Sequence, residues 1–171
     1  MKKKLSGYVP VICLGAGWSS GLLIFYLCRS FGARLPVFNA EGLVFSNICS
    51  AILTQLCFFI LSCLFGFSML SGIVPAALVY VRSTLASLSC AIVYISLVSR
   101  EGFTLLYCAF TLTSALICVF LTSSARLAHI FYTKVPHTKP ENILDYVARQ
   151  LFTMGFAAAA LIIYYTVCAV I

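Results

Sequence analysis

The chain has 171 residues, of which 63% are hydrophobic and 9% are charged, and its formal net charge is +7. Soluble domains carry about 25% charged residues, and eleven basic and four acidic side chains cannot cover a water-exposed surface. The composition excludes a soluble enzyme, a disordered chain and a disulfide-rich secreted domain, and it indicates an integral membrane protein. Most basic residues flank apolar stretches, which favours a role in membrane orientation over binding to nucleic acid.

The predicted elements are membrane-spanning helices. Such a helix needs about 20 predominantly apolar residues, and its backbone must satisfy its own hydrogen bonds within the lipid. The sequence therefore predicts an all-α, polytopic bundle of five transmembrane helices that forms a single domain over residues 1–171. The five stretches, in chain order, are 8–28, 45–70, 72–98, 103–122 and 151–171.

The boundary between the second and third stretches decides the number of spans. It rests on Ser71, Gly72 and Pro75, because proline is tolerated in the first turn of a helix, where its missing N–H is not needed. Without a break at this point the chain would have four transmembrane helices.

The distribution of lysine and arginine between the loops predicts the orientation. With the amino terminus in the cytoplasm, seven basic residues lie inside and three lie outside. The count predicts a multi-pass protein of the cell membrane with a cytoplasmic amino terminus and an external carboxyl terminus. The inner residues are Lys2, Lys3, Lys4, Arg126, Lys134, Lys139 and Arg149, and the outer ones are Arg29, Arg34 and Arg100.

Small residues mark candidate packing faces on two spans. Gly17 and Gly21 form a G-x-x-x-G pattern in the first span, and Gly155 and Ala159 have the same spacing in the fifth. Transmembrane helices approach closely at such positions, because small side chains let the backbones meet. The spacing predicts helix packing at both places.

The sequence predicts no enzyme. Ser19 lies within a G-x-S-x-G pattern, which surrounds the nucleophilic serine of some hydrolases. It falls inside a predicted helix, however, whereas His129 and His137 fall at the cytoplasmic side, where neither can deprotonate its hydroxyl. The nine cysteines contain no C-x-x-C pair and are typical of buried apolar positions, so we expect no catalytic, cofactor-binding or metal-binding residues.

Arg82 lies near the middle of the third span. A charge near the bilayer centre costs about 2.5–3.5 kcal/mol or more, so its side chain should face protein or water. Two interpretations remain open: an arginine that snorkels or caps a polar helix junction, and a contact for an anion or a partner. Possible hydrogen-bond partners are the side chains of Ser83, Ser87, Gln55 and Asn47, or backbone carbonyls freed near Pro75.

The cytoplasmic loop is expected to span residues 123–150. Thr138 and Glu141 within it match a capping box, which predicts a helix from about Lys139 to the carboxyl end whose first turns lie on the cytoplasmic surface. This segment is either a connector or a docking surface for a partner. The predicted outer loop, 29–40, contains Gly32, Pro36 and Asn39, which are typical of turns.

Residues 45–171 resemble the stage II sporulation protein M family of small five-span membrane proteins. The similarity is greatest over 70–94, where Arg82 occupies a basic position of the family and Ser83, with Ala86 or Ser87, stands where the family favours glycine. Further similarity lies in 122–132 and 144–156.

The resemblance implies a non-catalytic role in the cell envelope during engulfment in sporulation. Members of this family anchor peptidoglycan hydrolases of the lytic transglycosylase and amidase types in a membrane complex. We therefore expect a membrane scaffold whose partners are membrane lipids and peptidoglycan hydrolases, with no nucleic acid. The alternative is a small-solute permease or transporter subunit in which Arg82 reads an anionic substrate, and a hydrated cavity that reaches Arg82 would favour it.

Overall fold

The computed structural model describes residues 8–32, 45–97, 103–134 and 140–170. These residues form helices and turns, with no strand among them, and the predicted all-α fold is confirmed. Four of the helices, α1, α3, α4 and α5, are long and apolar enough to cross a membrane. The helices are α1 (Val9–Ser30), α2 (Phe45–Phe65), α3 (Val74–Leu97), α4 (Phe103–Lys134) and α5 (Pro140–Val170).

Helix α2 has 21 residues, which corresponds to about 32 Å at 1.5 Å per residue. Its side chains are described from Ile52 onward, and Ile52–Phe65 is an apolar stretch shorter than the four candidate spans. Within the described residues the predicted number of five helices therefore holds, and four of them meet the length and hydropathy expected of a span.

The chain does break between α2 and α3, but over a wider turn than Ser71 and Gly72 suggest. Helix α2 ends at Phe65 and not at residue 70, and tight turns whose amides bond the carbonyl three residues back follow from Gly66 to Ile73. Ser68 stabilises this turn, because its Oγ donates to the Phe65 carbonyl at 3.0 Å and accepts from the Leu70 N–H at 3.2 Å. Pro75 then lies in the first turn of α3.

The expected cytoplasmic loop over 123–150 is wrong in extent. Helix α4 continues to Lys134, so the segment expected to be loop from residue 123 is helical. The helix predicted from about Lys139 is confirmed, because α5 begins at Pro140. Residues 135–139 lie outside the described residues. Helix α4 continues through a polar stretch because Ala128 and Phe131 pack against Tyr146 of α5 in a second buried cluster.

The helices alternate in direction. At one end of the bundle, Phe67 in the α2–α3 turn contacts the rings of Phe131 in α4 and Tyr146 in α5, with centroids 5.3 and 5.4 Å apart. At the other end, Tyr94 near the end of α3 contacts Tyr107 near the start of α4 at 5.4 Å. Helices α3 and α5 therefore run opposite to α2 and α4.

Helix α1 lies on the outside of α3 and runs parallel to it. Val9 at the start of α1 borders the same groove as Ile73, and Gly21, farther along α1, packs against Ser87 of α3. The first described residue of α1 and the last of α5 consequently lie at opposite ends of the bundle.

Helix α4 contacts each of the other four helices. The outward surface is apolar as well, which is expected of a surface solvated by lipid; Leu23, Leu112 and Ile163 are each more than half exposed. The main buried cluster consists of Phe59, Val79, Ile117, Leu121, Ala125, Ala157 and Leu161.

Candidate functional site

Arg82 is buried between helices α3 and α2. Its side chain is 8% exposed, and its Nε donates a hydrogen bond of 2.6 Å to Gln55 Oε1 in α2. Of the partners that the sequence offers, Gln55 is therefore the one used, whereas the side chain of Asn47 lies outside the described residues. The burial shows that Arg82 faces protein and does not extend into the lipid.

Ser83 and Ser87 are not partners of Arg82, which corrects that expectation. Each hydroxyl donates to a carbonyl of its own helix, Ser83 to Tyr80 at 3.0 Å and Ser87 to Thr84 at 3.2 Å. Both serines are fully buried. Successive residues point about 100° apart around a helix, so Ser83 lies on the side of α3 that meets α1 whereas its neighbour Arg82 faces a different helix.

A cleft of about 350 Å³ reaches Arg82. Helices α2, α3, α4 and α5 all contribute to its walls, and it extends along the half of the bundle that holds the α3–α4 connection. Its lining surface is mainly apolar, with hydroxyl groups at intervals. Arg82 is the one cation among the lining residues. They include Thr54, Gln55, Phe58, Leu85, Ser89, Phe110, Thr113, Ser114, Ile117, Leu161, Tyr164 and Tyr165.

A second buried polar group joins α2, α4 and α5. Ser124 Oγ donates to Gln150 Oε1 at 2.6 Å and lies 3.0 Å from Ser62 Oγ. Gln150 Nε2 donates to the Ser124 carbonyl and to Tyr146 Oη, both at 3.1 Å. Tyr146 Oη donates to the Cys63 carbonyl at 2.9 Å. The four side chains of Ser62, Ser124, Tyr146 and Gln150 are each at most 4% exposed.

This polar cluster was not predicted from the sequence. One signal was present, because Tyr146 and Gln150 are four residues apart and so share one face of α5. Their partners on α2 and α4 are serines that resemble many others in these helices. The hydrogen bonds that join the three helices therefore could not be predicted before the fold was known.

Gly17 and Gly21 lie buried in the interface between α1 and α3. A Cβ on Gly17 would collide with Ser83 Oγ and lie 2.5 Å from the Tyr80 carbonyl oxygen, and a Cβ on Gly21 would collide with Ser87 Oγ and the Thr84 carbonyl. The backbones approach so closely at these two positions that any side chain would separate the helices.

The helix packing predicted at Gly155 and Ala159 is not seen within the described part of the bundle, where these residues lie on an outward face of α5. Both residues are exposed, and a Cβ on Gly155 would meet nothing within 4 Å. The inward side of this part of α5 is formed by Ala157 and Leu161, which belong to the main cluster.

The residues considered for catalysis are not brought together by hydrogen bonds. Ser19 is exposed, and its Oγ donates to the Gly15 carbonyl of its own helix at 3.1 Å. His129 lies beside Gly72, and its Nδ1 is buried with no hydrogen-bond partner among the described residues. His137 lies outside the described residues. Within the described parts of the chain, no group of three or more His, Cys, Asp or Glu residues has the arrangement of a metal site.

Comparisons with protein-family models, with curated proteins and with solved structures find no match to this chain.

Proposed function

We propose that this chain is a non-catalytic integral membrane scaffold that anchors peptidoglycan hydrolases during sporulation engulfment, as its resemblance to the stage II sporulation protein M family implies. The observation that supports it best is the way the five helices are joined. Every helix contacts α4, and buried hydrogen bonds connect α2 to α3, to α4 and to α5.

A fully joined bundle suits an anchor better than a transporter. Many secondary transporters are built from repeats, and alternating access moves one repeat or bundle against the other around a central site. Here α4 contacts each of the other four helices, so no two groups of helices can separate without breaking contacts to α4. A rigid bundle also holds a bound partner in a fixed position at the membrane.

The contact surfaces of this scaffold are its outward helix faces and its short connections. The exposed small residues Gly155 and Ala159 give α5 an outward face on which a partner helix can approach closely. We place the amino terminus in the cytoplasm and the carboxyl terminus outside the cell membrane, where peptidoglycan hydrolases act.

Site-specific photocrosslinking in sporulating cells of the native host tests the scaffold. A photoreactive residue replaces Ala159 on α5, and a second variant has the same residue at Leu23 on the exposed side of α1. A docked hydrolase should be captured at Ala159, which lies on the proposed docking face of α5, and not at Leu23 on a different helix, and mass spectrometry identifies it. Capture of lipids and a substrate-binding protein alone would contradict the scaffold.

The alternative, a small-solute permease or transporter subunit, is favoured by one observation, the cleft that reaches Arg82. In that case proteoliposomes containing the purified chain would take up a small organic anion, and Arg82→Gln would abolish the uptake. The scaffold predicts that uptake is equal with and without the protein.

A further inference from the structure

The guanidinium of Arg82 has N–H donors without a hydrogen-bond partner among the described residues. Its position is largely buried, where unpaired donors cost free energy. Arginine carries five N–H donors, and among the described residues only the Nε–H of Arg82 has a partner, Gln55. The one ion pair within the described chain joins Arg149 to Asp145 on the surface. The charge of Arg82 is therefore not neutralised by any carboxylate in the described part of the molecule.

A neutral amide compensates such a charge only in part. Gln55 supplies the oxygen of a dipole, whereas a buried guanidinium without a negative partner retains most of the cost of leaving water. The two Nη atoms present four N–H groups in one plane, a geometry that matches the two oxygens of a carboxylate or phosphate. The chemistry of this position thus favours an oxyanion.

The volume and lining of the cleft indicate the size and polarity of the molecule that carries the oxyanion. Its volume of about 350 Å³ lies at the lower end of the range for small-molecule pockets. Beyond Arg82 the walls are largely apolar, with Phe58, Phe110 and Leu161 among them, and the hydroxyls of Ser89 and Ser114 are nearby. A molecule that fills it would have a charged end and an apolar body.

We propose that the cleft between α2, α3, α4 and α5 binds an amphipathic monoanion, whose carboxylate or phosphate pairs with Arg82 while its apolar part lies along the cleft. This site is independent of the scaffold function and goes beyond it. The same chemistry has two sources, an acidic lipid that enters from the membrane and an organic acid that enters from water.

Ligand-induced thermal stabilisation of the full chain in phosphatidylcholine nanodiscs tests the proposal. A molecule that binds the folded state raises the midpoint of unfolding in proportion to its occupancy. The probes are two matched pairs, dodecanoate with dodecanol for the membrane source and benzoate with benzyl alcohol for the aqueous source. Within each pair, only the anion should raise the midpoint.

Variants assign the effect to Arg82. Arg82→Gln should weaken binding of the anion by about thirtyfold or more, since the charged partner is lost, and Arg82→Lys should retain part of the affinity because the charge remains. Arg149→Gln is the matched control, because this arginine is exposed and pairs with Asp145, and it should bind as the wild type does.

Each outcome decides the proposal or the source. Stabilisation by dodecanoate alone identifies a membrane lipid, and stabilisation by benzoate identifies a water-soluble acid. Equal effects of an anion and its alcohol, no effect of any probe, or an unchanged response in Arg82→Gln would overturn the proposal. If Arg82→Gln fails to fold, the comparison of each anion with its alcohol on the wild-type chain still decides it. Loss of the site would leave the hydrolase crosslinks at Ala159 unaffected, so the two proposals fail separately.

Discussion

At Gly17 and Gly21, the absence of a side chain sets the distance between α1 and α3. Gly17→Leu should lower the free energy of unfolding by about 1–3 kcal/mol or more, because the added atoms would collide with Ser83 and the Tyr80 carbonyl in a contact that cannot expand cheaply. The measurement is a denaturant titration of the purified protein in detergent.

Gly15 offers a matched control for that experiment. It lies on the same helix, but a Cβ there would meet nothing within 4 Å. Gly15→Leu should be neutral or slightly stabilising, because leucine favours a helix over glycine. Equal stability of the Gly17 and Gly15 variants would contradict the close approach of α1 to α3.

Variants of Ser124 and its neighbour Ser123 distinguish a hydrogen bond between two helices from a hydrogen bond within one helix. Ser124→Ala removes the hydroxyl that meets Gln150 and Ser62 and should cost about 0.6–1.7 kcal/mol, which spans the mean and the maximum measured for interhelical hydrogen bonds in a membrane protein. Ser123→Ala removes a bond to the Val119 carbonyl of the same helix and should change the free energy of unfolding by less than about 0.5 kcal/mol. Equal losses in the same denaturant titration would show that the cluster does not join the helices.

For single residues, the sequence predicted features that follow from local spacing, but not the contacts that they make with residues on other helices. The spacing of Gly17 and Gly21 indicated close packing, but not that Ser83 and Ser87 form the opposing surface. Gln55 was one of several polar groups within reach of Arg82, and only the fold selected it. Gly155 and Ala159 have the same spacing as the first pair and lie exposed, because spacing does not specify which face of a helix turns inward.

Among the elements, the α2–α3 turn depends on Gly66. A Cβ there would collide with the Tyr146 hydroxyl and lie 2.7 Å from the ring carbon that bears it. Gly66→Ala should therefore cost about 1–3 kcal/mol by displacing Tyr146 from its bond to the Cys63 carbonyl.

A double-mutant cycle with Tyr146→Phe tests this contact by denaturant titration. Removing the hydroxyl relieves part of the collision, so the double variant should be more stable than the two single effects predict by about 0.5–1 kcal/mol. Strictly additive effects would mean that the turn and α5 do not meet at this point.

The lengths of the elements were predicted less well than their existence. Apolar runs located all five helices, because a run of about 20 apolar residues is a strong signal. The end of the fourth was predicted too early, because the loop was expected to begin at residue 123, whereas α4 continues to Lys134. In the structure this polar segment stays helical because Ser124 bonds to Gln150 and Ala128 packs beside Tyr146. These contacts to α5 cannot be predicted from the local sequence pattern.

For the whole molecule, the alternating directions of the helices place Arg29 and Lys134 at opposite ends of the bundle. Both side chains are exposed. In a background without the native cysteines, Arg29→Cys should react with an impermeant maleimide added outside intact cells, and Lys134→Cys should react only after the membrane is opened. Labelling of both from the same side would contradict the topology, and the reverse pattern would invert the proposed orientation.

The hydrogen bond between Gln55 and Arg82 bears on how the chain enters the membrane during synthesis. Gln55 precedes Arg82 by 27 residues, so α2 leaves the ribosome before α3. An arginine near the centre of a segment raises the free energy of its insertion by the translocon, and a neighbouring amide lowers that barrier. We expect α2 and α3 to partition into the bilayer as a hairpin, with the glutamine already beside the guanidinium when α3 exits the lateral gate.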